Sequence, residues 1–570
     1  MMCRVGNVGC SPPGSVVMCG NGLISCTVTN GYGAFPDRST CKAAQVVFPS
    51  TEEEVLSSVA GGVVKKQKMR VVTRYSHSIP KLICPGGDSG LLIGTRDLDH
   101  VVSVDNSAMR MSFEGGVPLR KLVDEAAKEG LALPHCPYWE GVTIGGILST
   151  GAHGSSLFGK GSAVHEYVVG MRLVVPASEK EGYAKVIVLK EDDEDLNAAK
   201  VSLGVLGVIS QVTLQLQPMF KRSVTNLEKD DIDLENMVIP FGLVHEFGDI
   251  SWYPSQGKAV YRVDDRVPVH VAGEGLNDFI GFQASLTPLL STIRTTEELE
   301  EETSDAEGLC LTSKLQVSVI LGIGTGLQNN DKHFTGYPVI GFQHKMQSSG
   351  SCLVSPENEL LTACPWDPRI KGQFFHQIGV SIGLSKIRDF LLDLKKLRDM
   401  DPKSLCVLEL YDGILIRYVK ASNAYLGKQE DSADMDITFY RSHNPKIPPV
   451  YIDVLQEIEQ MAFFKYGGVP HWGKNRNIAF VGAIEKFRKA EDFLRVVNTY
   501  DPDGYFSSEW TDAVLGIRNT GGAVIYKNGC ALEGLCVCSE DVHCAPGHGY
   551  LCRPGRVFTD ARVCRKQVLD

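Results

Sequence analysis

Three separated segments carry residue types that bind a cofactor and act on what it touches. In TIGGILSTGAHGSS, residues 143–156, Gly145, Gly146, Gly151 and Gly154 are interleaved with Ser149, Thr150, His153 and Ser155. Glycine lets the main chain approach a ligand and adopt positive φ, and N–H groups exposed by such a loop cradle a pyrophosphate. The competing reading is a tight buried turn. In TRYSHS, residues 73–78, Arg74, Ser76, His77 and Ser78 stand at the exit of a predicted strand, where binding loops commonly lie. His77 is there either an anchor for a cofactor ring or an ordinary loop residue. In HWGKN, residues 471–475, Lys474 supplies a cation that can stabilise a developing anion, or else it faces solvent as most lysines do. No segment decides the matter alone; their company raises all three.

The elements that must position these residues alternate in type. KAAQVVFP reads as a strand, Thr51 with Glu54 as a capping box opening a helix to about Lys66, and MRVVTRY as a strand again. AMRMSFEGG followed by the helically spaced PLRKLVDEAAKEG repeats the alternation, and SLGVLGVISQVTLQLQP closes a mixed domain at about residue 218. Beyond Pro218 come the strands KAVYRV and PVIGFQ and a late helix in PPVYIDVLQEIEQMAFFKY, with a last globular signal ending at Gly516. The acidic runs at 191–195 and 297–307 read as solvated loops. GIGTG at 322–326 lacks the third glycine of a dinucleotide fingerprint and reads as a structural turn. The expected organisation is an N-terminal segment (1–41), a cofactor domain (42–218), a cap domain (219–516) and a Cys-rich tail (517–570).

Composition sets outer limits. With 570 residues, 43% hydrophobic and 22% charged, the chain reads as a multidomain globular protein. Its net charge of -11 argues against a general nucleic-acid or anionic-membrane binder, which needs a basic face. No stretch approaches the ~18 to 20 apolar residues of a membrane span, and no protein partner is evident. Six of the 17 cysteines (Cys530, Cys536, Cys538, Cys544, Cys552 and Cys564) fall in the last 41 residues, a segment too poor in apolar residues to fold on its own core. Disulfides are the natural reading; zinc, helped by His543 and His548, is the rival, but no Cys-x-x-Cys pair is present. Disulfides imply an oxidising compartment, secretory or extracellular. Residues 1–30 are cut by Gly and Pro and show no signal peptide, so the native start is expected upstream.

Taken in order, CTVTNGYGAFPDRSTC, TRYSHSIPK, GAHGSSLFGKGSAVHEYV, SLGVLGVISQVTLQLQP, FTGYPVIGFQ, PHWGKNRN and the Cys-rich tail resemble the plant L-gulono-1,4-lactone oxidases, of the vanillyl-alcohol oxidase type of flavoproteins. The resemblance implies an α+β fold: an FAD-binding domain of two subdomains, then a cap domain whose antiparallel sheet covers the flavin. It implies FAD bonded covalently through His77, although Arg74 and Ser76 replace the glycines of the Gly-x-Gly that often precedes that histidine. It places Gly145, Gly146, Ser149, Thr150, Gly151, His153, Gly154 and Ser155 in one FAD-contacting segment, and Gly204, Gly207, Val208 and Ile209 in a second. It makes Lys474 the active-site lysine and aligns Arg417 with the arginine of a Glu-x-Arg pair, Leu415 standing where the Glu would be; Glu409 is the nearby carboxylate expected to substitute. No metal is implied. The implied reaction is oxidation of a sugar lactone by O2, giving H2O2 and the keto-lactone precursor of ascorbate. The alternatives are an oxidase of polyols or other aldonolactones, or a secreted flavin- or carbohydrate-binding protein.

Overall fold

Short apolar runs and capped helices build two small α+β layers ahead of one large sheet. The computed structural model describes residues 17–28, 38–73, 82–86, 88–283, 287–303, 306–330, 333–347, 349–354, 375–517 and 523–567. The first layer is a five-stranded sheet in the order Val17–Asn21, Ile24–Val28, Cys41–Val47, Leu91–Gly94, Met69–Val72, parallel only across its last two pairings. The helix Glu52–Val64 follows its third strand. Thr51 Oγ1 accepts from the Glu54 N–H at 3.2 Å, but the Glu54 carboxylate accepts from Ser50 N–H at 2.7 Å, so the box closes one residue early. Glu52 then ties the helix to the second layer through Arg172 (2.6 Å) and the Ser210 hydroxyl (2.6 Å).

That second layer is wholly antiparallel, in the order Ala184–Lys190, Val168–Pro176, Val208–Gln215, Arg110–Glu114, Val101–Asp105. The amphipathic helix Leu119–Lys128 buries Leu119, Leu122, Val123 and Ala126 beneath it, as their spacing predicts.

The cap is an eight-stranded antiparallel sheet in the order Val339–Phe342, Lys221–Asp230, Lys258–Val267, Asp249–Tyr253, Ile414–Val419, Ser432–Tyr440, Phe375–Gly383, Val469–Pro470. Ser155 joins it to the glycine-rich segment: its Oγ donates to the Gly248 carbonyl (2.5 Å) and accepts from Tyr418 N–H (3.0 Å), while Ser156 N–H donates to the Tyr418 carbonyl (2.8 Å). Behind the sheet, the acidic run at 297–307 is not a loop. Its described residues lie in the helices Thr287–Thr303 and Ala306–Gly322, and Glu297, Glu300 and Glu301 are buried. Burial is sustained because Glu297 accepts from the Tyr411 hydroxyl, and Glu301 from the Tyr440 hydroxyl and the His443 and Asn444 N–H groups. Residues 191–194 are exposed as expected, Asp195 is half-buried, and GIGTG is a turn with Thr325 at φ 58.

The tail is stapled by Cys530–Cys536, Cys538–Cys552 and Cys544–Cys564. It packs on the fully buried helix Ile452–Gln460, whose polar side chains serve the tail's main chain. Gln456 and Gln460 each exchange two bonds with it, at Ala531 and Cys564 and at Arg562. Glu457 accepts from the N–H groups of Arg556, Val557 and Phe558. A helix with Gln and Glu on a buried face is thus the tail's hydrogen-bonding template.

Candidate active site

The glycine-rich segment folds as the short helix Ile144–Thr150, N-capped by Thr143 and closed by Gly151 in the left-handed conformation at φ 65. Two of its glycines are required by close packing within the protein: a Cβ on Gly145 would stand 2.8 Å from the Gly115 carbonyl oxygen, and one on Gly154 2.8 Å from that of Cys136. Gly146 is different, since its nearest neighbours would be the Thr143 hydroxyl at 3.4 Å and Thr73 Cγ2 at 3.5 Å. The helix start therefore adjoins Thr73, at the exit of the strand Met69–Val72. Arg74, Ser76, His77 and Ser78 themselves lie outside the described residues. Ser149 and Thr150 hydroxyls donate back to the Gly145 (2.7 Å) and Gly146 (3.0 Å) carbonyls.

A cavity of about 370 Å³ opens between this segment and the cap sheet, lined among others by Thr150, His153, Arg417, Asp436, His471 and Lys474. Its chemistry comes from strand register. Arg417 stands opposite Asp434 and Leu415 opposite Asp436, so both carboxylates share a face with the arginine. Arg417 Nη2 reaches Asp434 at 3.1 Å and Asp436 at 3.4 Å. Lys474 Nζ donates to Asp436 at 3.0 Å. It can lie across the sheet because the neighbouring strand has Gly379 opposite Asp436; a Cβ there would stand 3.0 Å from Lys474 Cε and 3.0 Å from His471 Cβ.

Electrostatics divides these groups. Burial alone would lower the Arg417 pKa, but Asp434 and Asp436 hold it above its ordinary value, and the guanidinium stays charged. Burial pushes Lys474 down, the Arg417 charge adds to that, and Asp436 opposes it. Lys428, buried behind Asp434, is pushed down to about 8, chiefly by burial. Burial would raise the Asp434 carboxyl, yet His153, Arg417 and Lys428 hold it well below the usual carboxylate range. His471 is kept neutral by burial, and its Nδ1 accepts from Gly473 N–H at 3.0 Å, which leaves Nε2 carrying the proton.

Family models described as FAD binding domain, D-arabinono-1,4-lactone oxidase, and L-gulonolactone oxidase 2-like C-terminal domain match residues 43–180, 373–514 and 527–566. L-gulonolactone oxidase 2 of Arabidopsis thaliana is 56% identical over 98% of this chain and 94% of its own length. The chain belongs to the L-gulonolactone oxidase family. L-gulonolactone oxidase 3 of the same plant is 48% identical over 97% of this chain and 94% of its own. Among solved structures, a solvent-stable cholesterol oxidase shares the fold with a TM-score of 0.66 at 14% identity, covering 87% of this chain and 98% of its own.

FAD is the cofactor of this gulonolactone oxidase-type chain, and the cavity's donors fit it: a paired arginine and lysine, and an Arg417 Nε that is buried without a partner among the described residues, face the space beside the glycine-rich helix. The predicted cofactor residues do not all reach that space. Thr150 and His153 line it, with Arg417 and Lys474. Gly204, Gly207, Val208 and Ile209 do not: they sit where the strand Val208–Gln215 begins, Gly204 giving its carbonyl to the buried Arg70 and Gly207, at φ 132, lying where a Cβ would be 2.4 Å from the Val174 carbonyl oxygen. Glu409 is not the substitute carboxylate. It is fully buried and accepts three bonds of 2.8 Å from Ser255 and Gln256, and it does not line the cavity. The carboxylates beside Arg417 come instead from SADMDITFY. Asp434 and Asp436, two apart in a strand whose alternate residues Ala433, Met435 and Ile437 are apolar, are the signal that reveals them.

Proposed function

We propose that this protein oxidises L-gulono-1,4-lactone or a related aldonolactone at a secondary alcohol, with O2 as final electron acceptor and H2O2 as by-product. The observation that supports it best is the Arg417–Asp436–Lys474 cluster facing the glycine-rich helix across the cavity. Bound FAD supplies the hydride acceptor. Arg417 is fixed by two carboxylates and presents a permanent charge to the negative charge that hydride uptake brings. Lys474 presents a second one, and both are in place before the reaction, which is what makes such groups effective. His471 offers a neutral N–H to a lactone oxygen, and Tyr138, whose hydroxyl donates to Asp249 at 2.6 Å, lies 5.7 Å beneath the Arg417 guanidinium and holds it from below. His77 is proposed to carry FAD covalently, with the segment 145–155 as its principal cradle and Gly204, Gly207, Val208 and Ile209 shaping the layer behind it. The domain limits are proposed at 42–218, 219–516 and 517–570. Six disulfides join described cysteines, and no helix among the described residues is long and apolar enough to cross a membrane; an oxidising, secretory compartment is the proposed location.

The test is a spectrum of the purified protein before and after anaerobic addition of L-gulono-1,4-lactone and related aldonolactones in turn, where bleaching of the flavin band by one of them is expected and a band unchanged by all refutes the substrate class. On a denaturing gel, flavin fluorescence should migrate with the chain and vanish in His77→Ala. Fluorescence lost on denaturing the unmutated holoprotein would refute the covalent bond alone.

A further inference from the structure

Oxidation of an alcohol needs a proton acceptor as well as a hydride acceptor, and the cavity narrows the choice. His471 presents N–H, its other nitrogen being occupied by Gly473. His153 donates from Nδ1 to the Gly154 carbonyl (2.9 Å) and turns Nε2 toward Asp434, 3.6 Å away. Asp434 is sealed from the cavity, its side chain 0% exposed, and receives Ser381 and Arg417. Asp412 also lines the cavity, but it stands at φ 71 in the turn before the strand Ile414–Val419, and accepts from the Tyr253 hydroxyl. Asp249 is covered by the Tyr138 hydroxyl and is 6% exposed.

Asp436 is the remaining carboxylate. Its side chain is 15% exposed, and it receives Gln377 Nε2 at 2.8 Å on Oδ1, and Lys474 and Arg417 on Oδ2. A carboxylate offers about four acceptor positions; three are filled by protein donors, and the fourth is open to the cavity. We propose that Asp436 is the catalytic base, taking the substrate hydroxyl proton onto a carboxylate oxygen. The O–H bond breaks to that oxygen, the C–H electron pair leaves as hydride to FAD, and the carbinol carbon becomes a carbonyl, so the lactone loses two electrons and two hydrogens. The assignment rests on the aldonolactone-oxidising function proposed above. It also gives Leu415 a meaning: the carboxylate enters from the strand opposite Leu415.

Asp436→Asn preserves size and keeps one acceptor oxygen for Lys474 and Arg417, but its amide nitrogen is a donor where Asp436 accepted from Gln377 Nε2, and it cannot take the proton. In the FAD-loaded variant, anaerobic flavin reduction by L-gulono-1,4-lactone should slow ~10² to 10⁴-fold, the usual contribution of a positioned base. The flavin midpoint potential should move the other way, to more positive values, because a negative charge beside Lys474 and Arg417 has gone. A structural role would not produce that opposition. Leu415→Glu combined with Asp436→Asn brings a carboxylate in from the opposite strand and should regain at least about tenfold of the lost rate. Asp436→Asn reducing flavin at the unmutated rate, or Asp249→Asn abolishing reduction where Asp436→Asn does not, overturns the assignment. So does a double variant that retains FAD and recovers nothing. Unmutated protein that keeps FAD and is not reduced by any aldonolactone refutes the proposed function instead.

Discussion

Replacing Lys474 by Met removes a buried charge while keeping most of the side chain's length. Lys474 Nζ lies 3.0 Å from Asp436, in a cavity with Arg417 on the same carboxylate at 3.4 Å. A unit charge acting across ~5 Å, the scale of such a cavity, at an effective dielectric near ~20 contributes about 3 kcal/mol, or about 10²-fold in rate. The range for a lost preorganised donor, ~10² to 10³, agrees. The effect belongs in the chemical step, because negative charge arrives only as hydride transfers. In rapid-mixing absorbance under anaerobic conditions, Lys474→Met should therefore reduce its flavin about 10² to 10³ times more slowly, with lactone affinity changed far less. Its flavin potential should become more negative, opposite in sign to the Asp436→Asn shift. A variant that keeps FAD and reduces at the unmutated rate would refute the charge argument and leave Lys474 as a closure of the cap over the cavity.

Ser155→Ala leaves the buried Tyr418 N–H and Gly248 carbonyl short of a partner, and should lower the unfolding free energy by about 1 to 3 kcal/mol and weaken FAD retention, both read by thermal unfolding followed at the flavin band. His135 is buried against Phe247, its ring 4.8 Å away, and burial followed by the charges of Arg222 and Arg266 pulls its pKa down to about 3. The folded state thus keeps His135 neutral while the unfolded chain takes up a proton below about pH 6.5, so stability is intact above 6.5 and falls as pH drops from 6.5 toward 3. His135→Phe keeps the ring and removes this cost: between pH 7 and 5 the unmutated protein should lose about 2 kcal/mol more than the variant in denaturant unfolding, and equal losses would show His135 to be protonated in the fold.

Much of the scaffold was legible from residues near one another in sequence. The capped helix after Thr51, the helix 119–128, the turn at GIGTG and the six paired tail cysteines follow from spacing and composition. The acidic run at 297–307 misled, because a carboxylate's burial depends on donors more than 100 residues away: the hydroxyls of Tyr411 and Tyr440 and the N–H groups of His443 and Asn444. The second glycine motif was legible as glycine, and at Gly207 the physical reason is the Val174 carbonyl, which a Cβ would meet at 2.4 Å.

The same limit explains the missing carboxylate. Along one strand, Leu415 and Arg417 say only that a Glu is absent, and of the acids just upstream Asp412 accepts from the Tyr253 hydroxyl and Glu409 is spent on Ser255 and Gln256. In an antiparallel sheet the unit that meets a ligand is the cross-strand pair, so a carboxylate lost at Leu415 is available at its partner, Asp436, without moving the backbone. Gly379, next in the sheet, then leaves the slot through which Lys474 reaches that carboxylate. Leu415, Asp436 and Gly379 thus form one transverse row across three strands, and the chemistry of the cavity is set by the row, which no single stretch of the chain displays.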